Sequence, residues 1–297
     1  MANLKSLKTR IKSVKSTQKM TKAMKMVAAS RLRKARTAVE SSRPYINKIS
    51  EMLNDIAGNI ILEGSESEFP LLTGNKESKT HLLIVLSSDR GLCGGLNGST
   101  AKLVKSRISK LKSENKDIKV LFVGKKAYEL LKTTHKEHII KTINGAFRSA
   151  VQFNQAQEIA NEVIQMFTES QFDVCEIIYS EFKSAINQEQ KYQQLIPLEI
   201  DLNKKAEDKE EDFSPISYEP NQEVILNELL PKNIAIQIYS RMLENFASEQ
   251  GARMSAMESA TNNAGKMIKN LTLVYNRTRQ ANITKELIDI ISGANSV

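Results

Sequence analysis

The sequence has no tryptophan, only two cysteines, and aromatic residues at 5% of its 297 positions. Two cysteines, Cys93 and Cys175, are too few for a disulfide scaffold or a cysteine-rich zinc module, and they fit a reducing compartment. With so few aromatics, any core must be built mainly from aliphatic side chains, and a wholly compact globule is a poor reading of the composition. No apolar run reaches the roughly 18 residues of a membrane-spanning helix, and no apolar signal segment follows Met1. The length accommodates one large domain or two smaller ones.

What the chain has in excess is positive charge, and it is local. Residues 1–36 contain eight lysines, four arginines and no acid, whereas the remainder holds 31 basic against 34 acidic residues. The net charge of +9 is therefore the property of one end. Such an end suits a nucleic-acid arm, a targeting peptide or a helix that meets an acidic partner. Residues 1–44 carry no aromatic side chain for base stacking, which argues against single-strand binding. A transit peptide is rich in arginine and lacks a structured seam, unlike this segment.

Prolines at 44, 70, 197, 215, 220 and 231 leave three proline-free blocks. In the first, Leu4, Leu7, Ile11 and Val14, then Ala28, Leu32, Ala35 and Val39, fall on one alternation of three and four, the seam of a coiled coil. The seam lapses at Gln18, Thr21 and Lys25, where a second stripe of Met20, Ala23, Met24 and Val27 predicts a stutter. A helix over residues 3–57 is about 80 Å long, and Pro44 is expected to kink it. In the last block Met254, Met257, Ala264, Ile268, Leu271 and Tyr275 repeat the seam, interrupted at Thr261. A helix from Asn221 to Ile291 reaches on the order of 100 Å. Two such helices most simply pair with each other in antiparallel fashion.

The middle block differs in kind. HLLIVLSS (81–88), IKVLFVG (118–124), HIIKTING (138–145) and DVCEIIYSEF (173–182) read as strands alternating with helices, hence a mainly parallel sheet covered on both faces. The fold class is α/β, a long antiparallel coiled coil of terminal helices with an inserted Rossmann-like domain. The expected organisation is an N-terminal helix over 1–58, an α/β domain over 76–202, a charged linker over 203–220 and a C-terminal helix over 221–297.

No catalytic constellation emerges. The turn RGLCGGLNGS follows a strand and opens a helix, where a phosphate loop belongs. Its glycines fit neither G-x-G-x-x-G nor G-x-x-x-x-G-K-[ST], and a tight turn with left-handed backbone explains them better. His135 and His138 flank Glu137, but no further ligand completes a metal set. Cys93 has no recognisable base with which to act as a nucleophile. No cofactor, metal or direct nucleotide site is expected.

Four segments are familiar as a set: STQKMTKAMKMVAAS (16–30), SSDRGLCGGLN (87–97), ENFASEQGARMSAMESATNNAG, and NRTRQANITKELIDIISGANSV. Together they resemble the gamma subunits of the F-type ATP synthases over essentially the whole chain. ITKELIDIISGA (283–294) matches that family's C-terminal signature, I-T-x-E-x-x-[DE]-x-x-x-G-A, at every specified position. The resemblance implies a rotating central shaft formed by the terminal helices inside a hexamer of alternating alpha and beta subunits. It also implies an α/β foot near the membrane c-ring, contact with an epsilon subunit, and chemistry confined to the beta subunits. It implies that Met24, flanked by Lys22 and Lys25, faces an acidic lever loop of a beta subunit, and that Arg279 and Gln280 are gripped by a second beta loop. Arg253, Thr284, Glu286 and Asp289 match positions that influence coupling, and Leu287 to Val297 the tip turning in an apolar sleeve. The 203–220 segment lacks the dithiol of chloroplast members, so redox switching is not expected. The immediate start of the shaft helix suggests a bacterial protein, peripheral at the cytoplasmic face of the membrane. Two other classes are compatible with parts of the sequence, a basic coiled-coil nucleic-acid-binding protein and a nucleotide-dependent Rossmann enzyme. Each rests on charge or fold alone.

Overall fold

The computed structural model describes residues 4–63, 69–74, 78–198 and 221–294. Two long helices carry the chain's ends, α1 (Leu4–Glu63) and α6 (Gln222–Ala294). Between them lie the single turn α2 (Pro70–Thr73), strands β1 (Thr80–Leu86), β2 (Asp117–Val123), β3 (Ile139–Ile143), β4 (Val174–Phe182) and β5 (Gln188–Ile196), and helices α3 (Leu96–Ser113), α4 (Lys125–Leu131) and α5 (Phe153–Thr168). Packing divides the chain into two units, Met1–Ala29 with Arg253–Val297, and Ser30–Ala252. The expected linker over 203–220 lies outside the described residues.

The larger unit is built on a five-stranded sheet of order β3-β2-β1-β4-β5. β1 pairs in parallel with β2 and β4, β2 in parallel with β3, and β5 runs antiparallel to β4. Because strand side chains alternate between faces, Leu82, Ile84 and Leu86 point to one core and Leu83 and Val85 to the other. The first core receives Ile159 and Val163 of α5 together with Ile234, Ile238 and Met242 of α6. The second is closed by Val104 and Ile108 of α3 and by Ala127 and Leu131 of α4. A third cluster joins Leu53, Ile56 and Ile60 of α1 to Leu226 and Leu230 of α6. These contacts explain why α1 continues to Glu63, past the predicted end near 57. Helix α1 also runs unbroken through Pro44. Pro44 is exposed, so the carbonyl it leaves without a donor costs little there.

β5 is a strand that the hydrophobic pattern does not announce: in QEQKYQQLI only Leu195 and Ile196 are buried. It is held by the β4 ladder and by polar contacts from the helices beside it.

One buried ion pair sits within this unit. Glu176 of β4 is almost wholly enclosed, and Arg107 of α3 grips it through Nε at 2.7 Å and through Nη2. His81 Nδ1 lies 3.4 Å away, and the Arg107 guanidinium stacks 4.8 Å from the Tyr192 ring centre. Burial pushes the Glu176 carboxyl up, but the hydrogen bonds and charges of Arg107 and His81 pull harder, and it ends below its ordinary value of 4.5. A carboxyl depressed in the folded state adds stability that is present above 4.5 and is lost as the pH falls through the folded value. Glu176→Gln is expected to cost about 3 kcal/mol at neutral pH, because Arg107 loses its counter-charge. Its denaturation midpoint should also fall less steeply than that of the wild type below pH 4.5, which urea titrations over that range measure.

Candidate partner interfaces

In the smaller unit the α1 and α6 segments form an antiparallel pair. The seam of α1 does not stutter. Leu4, Leu7, Ile11, Val14, Gln18, Thr21, Lys25 and Ala28 keep one alternation of three and four, and all are buried or half-buried. Opposite them Met254, Met257, Thr261, Ala264, Ile268, Leu271, Tyr275 and Thr278 do the same. The predicted changeover fails because the polar residues themselves occupy the seam. Thr21 Oγ1 lies 2.7 Å from Thr261 Oγ1, and Lys25 Nζ lies 2.6 Å from Glu258 Oε1. At Gly265 an added Cβ would stand 3.1 Å from Gln18 Nε2, so the missing side chain makes room for Gln18. Each hydroxyl also has a carbonyl of its own helix in reach, Gln18 at 3.1 Å from Thr21 and Met257 at 2.7 Å from Thr261, so one threonine donates across the crossing while the other accepts there and donates to its own helix.

The consequence is an inverted segment, polar within the pair and apolar outside it. Met20 is 59% exposed, Met24 37% and Val27 54%. On the other flank of α1, Lys19, Lys22, Lys25 and Met26 border a groove of about 450 Å³, which Glu258, Thr261 and Asn262 close from α6. Exposed methionines on a rigid helix make an adaptable contact surface. Lys22 faces solvent, and Lys25, which the resemblance placed toward a partner, is half-exposed and pairs with Glu258 across the seam.

The register of these contacts places Leu4 opposite the turn of α6 that holds Thr278. From Ile283 to Ser292 every residue is exposed, including Ile283, Leu287, Ile288, Ile290 and Ile291. At 100° per residue, Ile283, Leu287, Ile290 and Ile291 form one stripe, which Arg279, Gln280 and Glu286 share. Thr284 flanks that stripe, with its hydroxyl donating to the Gln280 carbonyl at 3.0 Å, and Asp289 lies on the opposite side. Arg253 is half-buried and engaged in the fold, not part of the tip. Of the sequence-selected residues, Met24 and Lys22 are exposed on α1, Arg279, Gln280, Thr284, Glu286 and Asp289 are exposed near the end of α6, and Lys25 and Arg253 are half-buried.

In the larger unit the glycine-rich turn after β1 is packed on the protein itself. Left-handed backbone is needed at Gly94 (φ 60) and is also adopted by Leu92 (φ 65). Asn97 Nδ2 donates to Cys93 Sγ at 3.1 Å, and Ser88 Oγ donates toward Asn97 Oδ1 at 2.9 Å. Asp89 accepts from the Gly145 and Phe147 amides at 2.9 and 2.8 Å, tying this turn to the loop after β3. Cys93 and Leu96 pack against Ala252 of α6. The sheet's strand order reverses here, the place where open α/β sheets commonly take a ligand, and the chain's own side chains fill it. The His135 and His138 rings lie 6.4 Å apart, and among the described residues no group of three or more metal-ligating side chains converges.

Comparison with known proteins settles the family. The family model described as ATP synthase matches residues 3–297. The ATP synthase gamma chain of Rhodospirillum rubrum is 47% identical over 301 residues, covering the whole of both chains, and that of Pelagibacter ubique is 48% identical over 299, again end to end. The chain belongs to the ATP synthase gamma chain family. Among solved structures, a central stalk chain of the Tetrahymena thermophila mitochondrial ATP synthase aligns with TM-score 0.59 at 29% identity, covering 81% of this chain and 99% of that one. A chain of the Euglena gracilis mitochondrial ATP synthase shares the fold with TM-score 0.67 at 18% identity, covering 99% and 94%. No helix among the described residues is long and apolar enough to cross a membrane.

The seam is directly testable, since both native cysteines are buried. Thr21→Cys with Thr261→Cys is expected to form a disulfide on mild oxidation, whereas Met20→Cys with Thr261→Cys is not. Non-reducing gel mobility reads the result, and cross-linking of the second pair alone would restore the stutter.

Proposed function

We propose that this chain is the rotating central shaft of a bacterial ATP synthase, coupling ion flow through a membrane ring to ATP synthesis or hydrolysis on beta subunits. The observation that carries the reading is the end-to-end match to bacterial gamma chains at 47 and 48% identity. The chain itself does no chemistry in this reading. It works by presenting different faces to chemically equivalent sites, so that each rotation step shifts their nucleotide affinities through unequal contacts.

The exposed groups suit that work. Met20, Met24 and Val27 on one flank of α1, and Lys19 and Lys22 on the other, would meet an apolar and acidic loop of a beta subunit. Arg279 and Gln280 would be the handle for a second loop, because a guanidinium makes oriented, charge-assisted hydrogen bonds. Glu286 borders that handle, Thr284 and Asp289 lie on the flanks of the tip, and the aliphatic stripe from Ile283 to Ile291 would turn within an apolar sleeve of alpha and beta subunits. The α/β unit would be the foot that meets the c-ring and an epsilon subunit, with the whole complex peripheral at the cytoplasmic face of the membrane.

The reading is tested by rebuilding the complex around the chain. Co-purification from membranes should bring alpha and beta subunits with it. Arg279→Ala with Gln280→Ala should assemble but lose about tenfold in multisite ATPase, the effect of one charge-assisted hydrogen bond of roughly 1.5 kcal/mol made in some rotational states only. Wild-type turnover of the assembled double variant would remove the handle. Calorimetry of the purified chain with ATP should give no binding in the micromolar range, and binding there would return the turn after β1 to candidacy.

A further inference from the structure

Helix α6 is fixed to the sheet by a row of directed polar contacts as well as by apolar packing. β4 outlasts its neighbour: pairing with β1 ends at Val85↔Ile178, while β4 continues to Phe182. Beyond that point the side of β4 that faced β1 has bare main-chain groups, which must be satisfied. At Ser180 two side chains of α6 take the place of the missing strand. Its amide donates to Asn245 Oδ1 at 3.3 Å, and its carbonyl accepts from Ser248 Oγ at 2.9 Å. Its own hydroxyl donates to Gln190 Oε1 of β5 at 2.8 Å, and Thr100 Oγ1 of α3 lies 2.9 Å from the same oxygen. Ser180, Asn245 and Ser248 are all essentially inaccessible to solvent.

The row continues in both directions. Arg241 Nε donates to Gln193 Oε1 at 2.7 Å, with its guanidinium 4.9 Å from the Tyr179 ring centre, and Gln193 Nε2 reaches Gln237 Oε1 at 3.2 Å. At Gly251 an added Cβ would stand 3.0 Å from Phe182 Cε2, so α6 lies as close to the β4–β5 hairpin as backbone allows. Apolar packing resists separation of a helix from a sheet but opposes rotation about the helix axis only weakly. Paired hydrogen bonds from positions three apart to one strand residue fix rotation and axial position together. A bare edge needs only some donor and acceptor. Supplying both from a helix that continues into the other unit turns edge-capping into a rotational stop.

We propose that Asn245 and Ser248 are positioning residues for torque, locking α6 to the sheet so that a rotational load on the α/β unit reaches the helix without slip. The proposal rests on the shaft reading above, and the experiment separates the two. Complexes carrying wild-type or variant chains are reconstituted in sealed vesicles, and ions moved per ATP hydrolysed are measured as the gradient builds. Asn245→Leu with Ser248→Ala should keep ATPase near wild type without a gradient and lower the ratio under a gradient, each of the two lost hydrogen bonds of ordinary net strength shifting the docked-to-slipped equilibrium by about fivefold. Ser248→Thr, which keeps the hydroxyl, should retain the wild-type ratio, whereas a merely structural loss would lower thermal stability and leave the ratio alone. If the double variant does not assemble, Ser248→Ala alone decides by the same ratio, with a smaller fall expected. An unchanged ratio in every assembled variant overturns the clamp. A wild-type complex that hydrolyses ATP without moving ions overturns the shaft reading instead.

Discussion

The alternation of three and four along α1 is the constraint on which the remaining arrangement depends. From Leu4 through Thr21 and Ala28 to Leu53 and Ile60, every position on that register is buried or half-buried. In the smaller unit this register faces α6 alone, and in the larger it contributes Ala35 to the sheet's core and Leu53 and Ile56 to the cluster with Leu226. Because the register never breaks, a stretch with polar residues in the seam must send its apolar residues outward. Met20, Met24 and Val27 are exposed for that reason, not as a packing defect. The pair gives up apolar burial there, and directed contacts, Thr21 to Thr261 and Lys25 to Glu258, hold the crossing in place. An ion pair half-open to solvent contributes at most about 1 kcal/mol, so its value lies in fixing register more than in strength.

Helix α6 carries a complementary logic over its length. Against the sheet it offers a polar row from Gln237 to Gly251, against α1 a mixed seam from Met254 to Thr278, and past the seam an uncovered aliphatic stripe. Exposed aliphatic side chains in a contiguous stripe are costly in water and mark a surface that a partner covers. Three consecutive stretches of one helix thus differ in what they face: the sheet, α1, and solvent.

Much of this was legible in the residues. β1, β2 and β4 are apolar runs because strands buried on both faces must be, and α5 carries its apolar residues on one side. β5 was not legible, since its glutamines are held by Thr100, Ser180 and Arg241, partners distant in sequence that no local period reveals. The stutter was misread for a related reason. Counting apolar residues favoured Met20 and Met24, whereas strict spacing kept Gln18, Thr21 and Lys25 in register, and spacing decides where a helix faces its neighbour. The pairing of Lys25 with Glu258 was not legible either, because the two lie 233 positions apart. Arg279, Gln280 and the tip were recognisable only through family resemblance, because an exposed polar residue leaves no periodic trace of what it touches.

The central claim is that the chain turns as a shaft while other subunits do the chemistry. Ile186, at the tip of the β4–β5 hairpin, is 86% exposed, and the native cysteines are buried, so Ile186→Cys offers a single attachment point for a rotation probe. With the catalytic hexamer fixed to a surface and ATP supplied, the probe should rotate in one direction at a rate set by hydrolysis. A probe that stays still while ATP is consumed would contradict the account.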